Sequence, residues 1–163
     1  MRGPFVRRRN GEVDVTLTQV EVDLIRSVVD QMVQVLELPP AGRLFPPAYR
    51  DDLEAQEEYA RLMTAELAEG KRRAVRSVQA TLGRGRAKRD SWSVRLSAEE
   101  ADDWLAVLND ARLTLGTRLD ITEDSYERDI DPGDPDAAAH EVFRYLGYVE
   151  DSLVQTMLAG LDD

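Results

Sequence analysis

The chain carries 32 carboxylates, one histidine and no cysteine, and those counts bound the chemistry its side chains can do. Without a thiol, cysteine nucleophiles, disulfides and thiolate-ligated metals drop out. The single histidine, His140, is followed by Glu141 but by no second histidine, so the zinc-binding helix motif is missing. A Ser–His–Asp arrangement needs an activated serine beside His140, and no Gly-x-Ser-x-Gly turn occurs. His140 shares a polar helical stripe with Arg144, Asp151 and Gln155, which reads as exposed surface. Gly70–Lys71 does not end a phosphate loop: Ala65 stands where the first glycine belongs and Arg72 where Ser or Thr belongs. The acidic run from Asp120 to Asp136 fails the calcium-loop test. Begun at Asp129, its glycine position holds Asp134 and its last ligand position His140; begun at Glu127, these are Pro132 and Ala138. No spacing singles out an acid–base pair among the carboxylates. The expectation is a non-enzyme with no catalytic residues, no metal and no cofactor.

Residues that could bind a macromolecule are easier to find. Arg7, Arg8 and Arg9 precede an Asn10–Gly11 turn, and Arg84, Arg86, Lys88 and Arg89 crowd the run "GRGRAKRD". If the two strand segments pair, these seven cations form one patch for phosphates or for an acidic face of a partner protein. The plainer reading is a solvated loop. A helical face of Lys71, Arg72, Arg73 and Arg76 is a weaker candidate. No recognition helix stands out, since the segment 98–115 carries Glu99, Glu100, Asp102, Asp103 and Asp110 instead of Arg, Asn or Gln. Finally, "GRLFPPAYRDD" sets Leu44, Phe45 and Tyr49 around Pro46 and Pro47, whose rings stiffen the backbone. Such a loop either plugs the core or docks a partner.

The elements that must position these residues follow from patterning. "FVRRRNGEVDVTL" reads as a hairpin closed by a type I′ Asn10–Gly11 turn, with Val13, Val15 and Leu17 on one face. Thr18 and Glu21 form a capping box for a helix running to about Leu38, before Pro39–Pro40. Its apolar stripe is wide, which suits a helix packed on two sides or shared with a second subunit. A 79-residue shift repeats the pattern: Trp92, Val94 and Leu96 match Val13, Val15 and Leu17, and Ser97 with Glu100 repeats the capping box. A strand–helix pseudo-repeat, 5–38 and 84–116, is one account of this; the other is that all strands feeding capped amphipathic helices look alike. Between the copies, a short helix from Asp52 and a longer one capped by Thr64 and ending at Gly83 are expected, with Gly70 a place for a break. A last helix starts at Asp134–Pro135 and reaches about Gly160. The fold class is α+β, mainly α: about five helices with a small antiparallel β-sheet built from the N-terminal hairpin and a strand near 91–96. One domain spans 1–163.

The net charge of −11 is unevenly spread, +2 over residues 1–90 and −13 over residues 91–163. The acidic half repels phosphate, so direct DNA binding is expected to be weak or absent. No apolar run approaches a membrane span and the basic N-terminus lacks an apolar stretch behind it, so a cytoplasmic protein without a membrane partner is expected.

In order, the basic hairpin, the apolar helix, "RLFPPAY" (43–49), "EYARLMTAELAEGKRRAVRSVQATL" (58–82), "WLAVLNDARLTLGTRL" (104–119) and "YLGYVEDSLVQTML" (145–158) resemble an actinobacterial family of domains of unknown function, the AosR-like oxidative-stress transcriptional regulators. The resemblance covers nearly the whole chain. It implies a regulator of transcription in the stress response that acts through protein–protein contact with a sigma factor or RNA polymerase. The family's redox-sensing form uses a cysteine pair, which this cysteine-free chain lacks, so no sensing residue carries over. An adaptor or scaffold homodimer with no promoter role, joined through the first or last helix, is the alternative.

Overall fold

The computed structural model describes residues 3–37, 53–121 and 131–161. Two hairpins and two helices that follow them directly form its sheet end. Strand β1 (Phe5–Arg7) turns into β2 (Val13–Thr18), which feeds α1 (Gln19–Glu37); β3 (Arg86–Lys88) turns into β4 (Ser91–Leu96), which feeds α3 (Ala98–Arg118). Between them runs α2 (Leu53–Arg84), and α4 (Ala137–Leu158) with a short 3-10 turn (Ala159–Leu161) closes the described fold. The four strands form one antiparallel sheet in the order β1-β2-β4-β3.

The central register explains why both hairpins share one core. Val13 lies opposite Leu96, Val15 opposite Val94 and Leu17 opposite Trp92, so the two inward rows meet side chain to side chain. The Val15–Val94 pair sits near the middle, and the order β1-β2-β4-β3 puts one hairpin on either side of it, each followed by a helix. Both helices start from formed capping boxes. Thr18 Oγ1 accepts from the Glu21 N–H at 3.1 Å while Glu21 accepts from the Thr18 N–H at 3.0 Å. Ser97 and Glu100 repeat the exchange at 3.1 and 2.8 Å. Each box satisfies N–H groups that a helix start leaves without intrahelical partners.

The helices cover one face of the sheet. Helix α3 is the hub, packing on α1, α2, α4 and β4. Trp104 on α3 is fully buried, donates its Nε1–H to Thr81 Oγ1 at 2.8 Å, and Thr81 passes its own proton to the Val78 carbonyl at 2.8 Å. Phe5 meets Trp104 edge to face at 6.4 Å. This chain ties β1, α2 and α3 together with every polar atom in it partnered.

Four expectations are revised. The residues 53–84 form one continuous helix, so the described residues hold four α-helices rather than about five. Thr64 does not start a new helix, because no proline or turn residue interrupts the strong helix formers around it. Gly70 has open space around it and propagates the helix at its modest intrinsic cost. The first hairpin is closed by five residues, Arg8 to Glu12, with only Gly11 at positive φ (90°), so the two-residue type I′ turn is not formed. The run "GRGRAKRD" is no mere loop: Arg86–Lys88 is a strand, folded back on β4 by Arg89–Asp90. Helix α4 begins at Ala137, since Asp134 accepts from the Asp136 N–H at 2.8 Å and holds a turn ahead of it. Leu44, Phe45, Pro46, Pro47 and Tyr49, the core-plug or docking loop, lie outside the described residues, as does most of the acidic run tested for calcium.

Candidate functional site

Strand alternation divides the sheet residues between two faces. Phe5, Val13, Val15, Leu17, Trp92, Val94 and Leu96 go inward and are buried. Among the described residues no helix lies over the opposite face, which carries Thr16, Thr18, Ser91, Ser93, Arg95, Arg86 and Lys88, all exposed, with Asp14 half-buried among them. Its centre is a trough of about 450 Å³ lined by Asp14, Thr16, Arg84, Arg86, Ser93 and Arg95. Hydroxyls form the floor, and three guanidinium groups stand around it against a single carboxylate.

The seven cations singled out in the sequence do not converge. β1 and β3 are the two outer strands, about 14 Å apart across β2 and β4. Antiparallel pairing sends the two hairpin turns to opposite ends of the sheet, so Arg9 and Arg89 are far apart. Arg7 points to the helix side, where its guanidinium covers Gly160 so closely that a Cβ there would collide with it. Arg8 reaches Asp14 at 3.0 Å across a second hollow that Arg9 and Asn10 also line. Arg84 and Arg86 do meet, and the fold adds Arg95 to them. Arg95, Thr16 and Ser93 were missed as site residues, although the inward alternation of Trp92, Val94 and Leu96 already forces Ser93 and Arg95 outward.

Two carboxylates hold part of this charge in place. Asp14 accepts from Arg95 Nε at 2.7 Å and from Arg8 at 3.0 Å, and these bonds, Arg95's first, lower its pKa below the usual carboxylate range against a smaller opposing effect of burial. Glu100 takes both Nη groups of Arg84 at 2.8 and 2.9 Å, and Arg84 also donates to the Arg95 carbonyl at 2.7 Å. The Arg84 bonds, helped by the Ser97 N–H, hold the Glu100 carboxyl at about 2. Arg86 and Lys88, by contrast, have no ion-pair partner among the described residues.

The helical basic face is used internally. Lys71 bonds both oxygens of Asp110 at 3.0 and 2.9 Å, Arg73 reaches Asp103 at 3.3 Å, Arg72 donates to the Leu36 carbonyl, and Arg76 pairs with Glu69. The Lys71 and Arg73 contacts staple α2 to α3 and the Arg72 contact ties it to α1, while the Arg76–Glu69 pair stays within α2. Elsewhere, Glu150 has its pKa raised by burial and faces Arg112 at 3.6 Å, an ion pair between α4 and α3. His140 is half-buried on α4, less exposed than its stripe suggested. A third concavity, apolar and about 330 Å³, lies between α1, α3 and α4 and is lined by Leu24, Val28, Met32, Val35, Leu115 and Val142 among others. Among the described residues, no group of three His, Asp or Glu converges to hold a metal, and no helix is long and apolar enough to cross a membrane.

A helical layer under one face of a four-stranded antiparallel sheet defines a small, mainly helical α+β protein. The chain belongs to the family described as "Domain of unknown function (DUF2017)", whose model matches residues 1–157. It is similar to a protein of Mycobacterium leprae (strain TN) described as "Putative oxidative stress regulator AosR", at 26% identity over 152 residues, covering 85% of this chain and 67% of that protein. No solved structure matches the chain.

Proposed function

We propose that the protein is a regulatory binding protein of the transcription apparatus, working in the cytoplasm through contact with a sigma factor or RNA polymerase and catalysing no reaction. Similarity to a protein described as an oxidative stress regulator supports the regulatory part. The observation that carries the binding part is the sheet face that no other described element covers, where Arg84, Arg86, Lys88 and Arg95 stand on a chain of net charge −11. Local positive charge on an acidic protein steers acidic protein surfaces to one face while the rest of the molecule repels polyanions. Regulation here proceeds without thiol oxidation, because there is no cysteine to oxidise.

Affinity purification of the tagged chain from its host tests this reading. RNA polymerase subunits or a sigma factor are expected in the eluate, and their absence at low and physiological salt contradicts it. A titration into random duplex DNA is expected to show at most weak binding that fades steeply with salt; tight, salt-resistant binding would make the protein a direct DNA reader instead.

A further inference from the structure

The two outer strands of the sheet differ in what lies beside them. Beyond β1, helix α4 packs on the strand, the Thr156 hydroxyl, which donates to the Ser152 carbonyl at 2.8 Å, also lies 3.4 Å from the Phe5 carbonyl, and Arg7 crosses Gly160. That edge is closed. Strand β3 packs on β4, and among the described residues no other element makes more than marginal contact with it. Arg86, Ala87 and Lys88 are all exposed. The two-residue turn Arg89–Asp90 makes Lys88 and Ser91 the hydrogen-bonded pair next to it. The alternation of an antiparallel ladder then turns the N–H and C=O of Ala87, opposite Trp92, outward.

We propose that this free edge binds an extended acidic peptide by strand addition, with the peptide backbone pairing to Ala87 and its alternate carboxylates meeting Arg86 and Lys88. The proposal rests on the reading of the chain as a protein-binding module and names the chemistry of its partner. Arg86 and Lys88 are two residues apart on the open face, and an extended peptide repeats its side chains on one face with the same period. Neither cation is engaged by an ion pair in the described fold, so a peptide carboxylate displaces no existing partner.

Other occupants fit less well. A second copy pairing antiparallel about Ala87 would set Arg86 against Lys88, and like charges directly opposite are destabilising. Nucleic acid has no use for an outward carbonyl, finds no aromatic ring for base stacking among the described residues of this face, and meets a chain of net charge −11.

The test titrates a fluorescein-labelled peptide of about eight residues, alternating threonine and glutamate, into the full chain at two salt concentrations. Saturable binding is expected, weaker at high salt and weaker by about tenfold or more in Ala87→Pro, which removes the outward N–H. The double variant Arg86→Glu/Lys88→Glu should lose binding with an unchanged thermal midpoint, which keeps the test sound if the proline unsettles the strand. Failure of the wild-type chain to bind, or equal binding by the double variant, overturns the proposal. So does displacement of the peptide by a short DNA duplex at lower concentration than by unlabelled peptide. Purification from the host separates this proposal from the reading beneath it. If wild type and the double variant recover RNA polymerase or sigma factor equally, the strand-addition site is wrong and the regulatory role stands. If wild type recovers neither while the peptide binds, the regulatory role falls and the site stands.

Discussion

Gly85 joins α2 to β3 with the indole of Trp92 lying against it; a Cβ built there would collide with the indole. Trp92 is itself 2% exposed and packed in the core, so it has nowhere to swing. Gly85→Ala should therefore lower stability by about 1–3 kcal/mol, as overpacking does, seen as a lower thermal midpoint. Glu100 makes a second prediction at this scale. Its carboxyl titrates at about 2 in the fold against an ordinary 4.5, because Arg84 grips it from one side and the Ser97 N–H from the other. A carboxylate with a depressed folded pKa contributes stability that is complete above about 4.5 and is lost as the pH falls toward 2. Both partners remain partly solvated, at 49% and 24% exposure, so screening keeps the contribution small. Glu100→Gln should lower the midpoint modestly at neutral pH and make its acid decline shallower. Midpoints by circular dichroism across that range check both, and an unaltered acid decline would contradict the assignment.

Helix α2 is the element that sequence patterning divided wrongly, and the reason is physical. A Ser or Thr before a helix-forming run looks like a cap, but a cap matters only where the backbone leaves the helix, and nothing near Thr64 makes it leave. Long-range pairs then lock the continuous helix to α3. Lys71 is the clearest: its ammonium spans both oxygens of Asp110, with side-chain exposures of 21% and 11%. Lys71→Met leaves the buried Asp110 carboxylate without its cation, and should cost about 1–3 kcal/mol in denaturant unfolding. Adding Asp110→Leu should recover most of that loss, and a double variant no better than the single would sink the pairing argument. Elements announced by local signals were legible in advance. Both capping boxes and the inward alternation of β2 and β4 follow from neighbouring residues, and each is formed. Strand β3 was not legible as a strand, because three residues, Arg-Ala-Lys, have little strand preference of their own and pair only because β4 offers its edge.

At the scale of the whole molecule, the candidate surface was half visible. A count of charges located the cations but not their faces. The order β1-β2-β4-β3 decides that Arg7, Arg8 and Arg9 sit far from Arg86 and Lys88, and sheet order is set by long-range packing that no local pattern records. Likewise the cations of α2 look like a binding stripe until α3 brings its aspartates against them. What remains among the described residues is an open, hydroxyl-floored sheet face with one closed edge and one free edge, on a chain whose net charge is −11.

The chain supplies its own reporter for that account. It has two lysines: Lys71, held by Asp110 in the α2–α3 seam, and Lys88, exposed on the free edge. Amine-reactive crosslinking in the host, followed by mass spectrometry of the purified protein, asks directly which face meets a partner. Crosslinks from Lys88 to an acidic segment of a sigma factor or an RNA polymerase subunit are the predicted result. A partner joined only through Lys71, with Lys88 left freely reactive in the complex, would contradict it.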